Sequence, residues 1–160
     1  MRCPMASNRK AAGFEMWKSG ARGHGMWTFQ RPFGDPFNDF SGHGKMECPT
    51  YPHLLRPNDW STYQGAIPTI AWEAMREGIN DYAYLYTLHS LIHKACQSNH
   101  AAVREAAARA SEKLNVLPSK VVGVWSGGTT PKRMDEIVRE IADEIVALQA
   151  AMADHAKREK

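Results

Sequence analysis

The chain has 160 residues, of which 43% are hydrophobic and 23% charged, enough for one globular domain and ordinary for a water-exposed one. Its formal net charge of +3 is spread without any basic run, which argues against a nucleic-acid groove. Cys3, Cys48 and Cys96 are odd in number and lack C-x-x-C spacing, so they indicate neither a disulfide framework nor a zinc knuckle. They read as free thiols.

No stretch approaches the roughly 20 apolar residues a membrane span needs, and no apolar signal region follows Met1. The compartment is therefore left open. Residues 1–6 carry no periodic pattern and read as a leader that is disordered or foreign to the domain. Ser7 or Asn8 is expected to cap a helix that ends near Gly20 and buries Ala11, Phe14 and Trp17. Residues 23–30 (GHGMWTFQ) are glycine-rich at the start and aromatic at the end, the profile of a strand opening into a site loop. Residues 31–66 form a long loop punctuated by Pro32, Pro36, Pro49, Pro52 and Pro57, with a short strand expected over 45–48. Phe33, Phe37, Phe40, Tyr51, Trp60 and Tyr63 argue that this loop is ordered, because disordered segments are poor in aromatics.

The richest stretch runs over residues 66–96. Pro68 suits a first helical turn, and Ile70, Trp72, Ala74 and Met75 recur at helical spacing until Gly78 interrupts them. Asn80 and Asp81 are good cap residues for a second run that places Tyr84, Leu85, Leu88, Leu91, Ile92 and Ala95 on one face. The expectation is of two helices meeting at Gly78, which would take a positive φ, with Arg76 bridging Asp81 or capping loop carbonyls. Further on, Val103, Ala106, Ala107, Ala110 and Leu114 form one helical stripe. After a linker over 115–128, Thr130-Pro131 starts a last helix with Met134, Ile137, Val138, Ile141, Ile145, Leu148 and Met152 on its apolar face.

The string Trp72-Glu73-Ala74-Met75-Arg76-Glu77-Gly78-Ile79-Asn80-Asp81-Tyr82, followed by Tyr84-Leu85 and Leu88, closely resembles the C-terminal signature of the glycoside hydrolase family 123 catalytic domain. The likeness extends upstream through residues 25–29, the loop over 34–40 and Tyr51-Pro52, and downstream to the helix over 134–148, about two thirds of the chain. It implies a (β/α)8 barrel that removes N-acetylhexosamine residues with an adjacent Asp-Glu pair on a mid-barrel strand, which would lie before Met1. A whole barrel takes about 250 residues. The implied fold class is thus an α/β fragment, mainly α-helical: the last strand or strands of a barrel plus a C-terminal helical layer. Residues 7–66 would supply helix, strand and site loop, and residues 67–160 the helical layer.

Candidate chemistry is sparse. Asp135-Glu136 and Asp143-Glu144 repeat the family's acidic dipeptide, but both fall on the polar face of the last helix, where carboxylates are solvated. His89 and His93 stand four apart on a helix, yet Ser90 occupies the place of a zincin glutamate and no third ligand is evident, so no metal is implied. His24, His43 and His53 read as loop hydrogen-bonders. Trp27 and Phe29 at a strand tip, with Asp39 beyond, suit a sugar's C–H face and hydroxyl edge, and are the substrate-binding candidates. Trp72, Arg76, Glu77, Gly78 and Asp81 form the structural motif.

The function these readings imply is the non-catalytic part of a retaining, substrate-assisted N-acetylhexosaminidase of β-N-acetylgalactosaminidase type, with an N-acetylhexosamine-containing glycan as its partner and no cofactor. Self-association through an exposed strand edge is expected as well. The competing reading is a non-catalytic α-helical protein-interaction module, for which a solitary aromatic strand and loop over 23–59 would have no use.

Overall fold

The computed structural model describes residues 5–23, 50–51, 67–68, 70–123 and 128–158. The chain opens with α1 (Met5–Lys10), a π-helical turn (Ala11–Glu15) and α2 (Met16–Ser19), one continuous helical rod whose middle turn is widened. Gly20 ends it with φ 66°, the left-handed conformation that closes many helices, and its N–H donates to the Trp17 carbonyl. Two short strands follow, β1 (Thr50–Tyr51) and β2 (Ile67–Pro68), paired antiparallel. Then come α3 (Ile70–Cys96), α4 (Ala101–Val116), a 3₁₀ turn (Pro118–Lys120) and α5 (Pro131–Arg158).

The expected α/β barrel fragment is not what these residues form. Apart from one antiparallel two-residue pairing and the turns and coil that join the elements, the described residues are helical, and none of them belongs to a barrel strand. The physical reason lies in the helices. Each of α3, α4 and α5 carries an apolar stripe, and the three stripes cover one another, so no sheet is required beneath them. The strand expected over 23–30 lies outside the described residues apart from Gly23, which is in coil, as does the one expected over 45–48.

Leu85 and Leu88 from α3, Ala107 and Ala110 from α4, and Met134, Ile137 and Ile141 from α5 are fully buried together. Burying each of the large aliphatic side chains stabilises the fold by about 1.5–3 kcal/mol. The alanines of α4 matter for their size, since they let its backbone come close to two helices rich in leucine and isoleucine. The expected stripes of α4 and α5 are both found. On α3, Leu85, Leu88, Ile92 and Ala95 face inward as read, while Tyr84 is 43% exposed.

Local chemistry sets the ends of α5. The N–H of Arg133 donates to Thr130 Oγ1 at 3.2 Å, a side-chain cap on the first turn, and Pro131 sits at the first helical position. Beside it, buried Thr129 accepts a hydrogen bond from the Val122 N–H at 2.9 Å and donates to the Lys120 carbonyl at 3.3 Å. That hydroxyl fastens the start of α5 to the 3₁₀ turn and carries Val121 into the core.

Two boundary expectations change. The first helix starts at Met5, ahead of Ser7 and Asn8, so neither residue caps it. And Gly78 lies inside an unbroken 27-residue α3. Among the described glycines only Gly20 has a positive φ, so Gly78 is neither a joint nor left-handed.

Candidate functional site

Gly78 lacks a side chain because α1 passes directly over it. A Cβ placed there would overlap the Arg9 carbonyl and fall 2.9 Å from the Ala12 Cβ, and one placed on Gly13 would fall 2.6 Å from the Gly78 carbonyl oxygen. These separations are far inside van der Waals contact, so the two glycines are what allow the rods to cross this closely. The π-helical turn serves the same crossing. Its wider ring brings three consecutive residues, Ala12, Gly13 and Phe14, into the interface, where all are buried.

One turn before it, Arg9 reaches into the seam between α3 and α5. Its Nε donates to Asp81 Oδ2 at 2.7 Å and its Nη2 to Asp81 Oδ1 at 2.9 Å, a two-pronged pairing, while Nη1 donates to Asp135 Oδ1 at 2.5 Å. Arg9 and Asp81 are buried, with 9% and 2% of their surface exposed, and the Asp135 side chain is about half exposed. Burial pushes the Asp81 carboxyl above the ordinary aspartate range, and the Arg9 guanidinium offsets only part of that rise. For Arg9 the balance tips the other way. Burial disfavours its charge, but hydrogen bonds to Asp81 and Asp135 more than compensate and keep it protonated.

Around this pairing α3 and α5 leave an open groove of about 590 Å³, lined by Glu77, Asn80, Ala83 and Tyr84 on one side and Val138, Arg139 and Ala142 on the other. Its floor is not a catalytic constellation. Both oxygens of Asp81 accept from one arginine, and that carboxyl is closed to solvent, whereas a general acid or base must reach a substrate proton. The chemistry it does perform is mechanical: a single guanidinium ties α1 to α3 and α5 at once.

The motif residues therefore divide. Gly78 and Asp81 are buried and hold α1. Arg76 does not bridge Asp81; its side chain is 60% exposed and pairs with Glu73 at 2.7 Å, with Glu77 3.7 Å away. Trp72 is half-buried near the start of α3. The substrate candidates Trp27, Phe29 and Asp39, and the histidines at 24, 43 and 53, lie outside the described residues. Of the acidic pairs on α5, Asp135 pairs with Arg9, Glu136 with Arg133 and Glu144 with Lys113. His89 lies edge-on to Trp17 at 5.8 Å, and no metal-holding cluster of His, Cys, Asp or Glu occurs among the described residues. No described helix is long and apolar enough to cross a membrane.

Arg9 escaped the reading of the sequence, though a signal for it existed. Asp81 falls in the same three-and-four register as Ala74, Gly78, Leu85 and Leu88. A carboxylate on a buried stripe demands a cationic partner from another element. Comparison with known proteins adds nothing to this picture: no family model, no curated protein and no solved structure matches the chain.

Proposed function

We propose that this chain is a non-catalytic, helical portion of a glycoside hydrolase family 123-like enzyme, whose parent reaction is the retaining, substrate-assisted hydrolysis of an N-acetylhexosaminide. The observation that carries the proposal is the string from Trp72 to Tyr82. Its two least replaceable members, Gly78 and Asp81, answer a packing demand that α1 imposes on α3. Sugar contact is assigned to Trp27, Phe29 and Asp39, whose aromatic and carboxylate chemistry suits the C–H faces and hydroxyls of a sugar.

The test uses the purified chain. Aryl N-acetyl-β-galactosaminide and the corresponding glucosaminide should release no phenol above background. N-acetylgalactosamine should perturb tryptophan fluorescence with about millimolar affinity, and Trp27→Ala should remove that response. Turnover that a single carboxylate substitution abolishes would contradict the non-catalytic reading. A fluorescence response that survives Trp27→Ala would contradict the assignment of the sugar contact.

A further inference from the structure

We draw no further inference here: the strongest candidate, the open groove between α3 and α5 where Tyr84 and Arg139 lie exposed beside Glu77 and Asn80, belongs to the site already described, its buried floor being taken up by the pairing of Arg9 with Asp81, and nothing in the structure shows what covers its walls.

Discussion

Arg9 and Asp81, 72 residues apart in sequence, meet in a buried two-pronged ion pair at 2.7 and 2.9 Å. Pairing of this kind seldom adds much stability over an apolar replacement, because both ions must leave water. What it does supply is register. Only one depth and rotation of α1 brings the guanidinium to Asp81 and Asp135 together while setting Gly13 over Gly78.

Substituting Gly78 with alanine tests the crossing. Helix propensity alone would stabilise the chain by about 1 kcal/mol, since α3 is continuous there. The added methyl must instead displace the Arg9 backbone, so Gly78→Ala is expected to lower stability by roughly 1–2 kcal/mol net, a sign measurable by urea denaturation. A stabilised variant would show that α1 does not press on α3.

Arg76→Ala should change the denaturation midpoint by no more than the equivalent of about 0.5 kcal/mol, because its partners are exposed carboxylates within the same helix. A loss of several times that would return Arg76 to the buried role that its position beside Gly78 suggests.

The contrast between those two residues shows where the sequence was legible. The stripes of α4 and α5 could be read because amphipathic spacing is local, and Val103 through Leu114 and Met134 through Leu148 are buried where the pattern places them. Around Gly78 the same local logic misleads. Glycine followed by Asn80 and Asp81 has the composition of a helix end and a new cap, but both Gly78 and Asp81 are there for a helix that lies far away in sequence, and tertiary packing overrides propensity. Arg9 was invisible for the same reason. Its neighbours say nothing about Asp81, and only the oddity of a carboxylate on an apolar stripe points to a partner. The candidate site is legible to the same extent: Gly78 and Asp81 stand out in the sequence, and what they grip does not.

Acid should weaken the first helical rod at Glu15. Burial raises the pKa of this carboxyl, but hydrogen bonds from Lys10 and Lys18, at 2.9 and 3.0 Å, outweigh it and hold the group below its ordinary value of 4.5. A depressed folded-state pKa means stabilisation that is present above 4.5 and lost as pH falls through the folded value. Glu15→Gln should therefore cost up to about 1 kcal/mol near neutrality, discounted for exposure, and the gap to wild type should close in acid. A gap that is constant with pH would show that the lysines do not engage Glu15.

Asp81 belongs to Arg9, and a double-mutant cycle measures that pairing directly. In chemical denaturation of the single and double alanine variants, Arg9 and Asp81 should show a coupling of roughly 2–3 kcal/mol, while the parallel cycle of Arg76 and Asp81 should give no more than about 0.5 kcal/mol. Negligible coupling to Arg9, or a large coupling to Arg76, would contradict the clasp between α1 and α3.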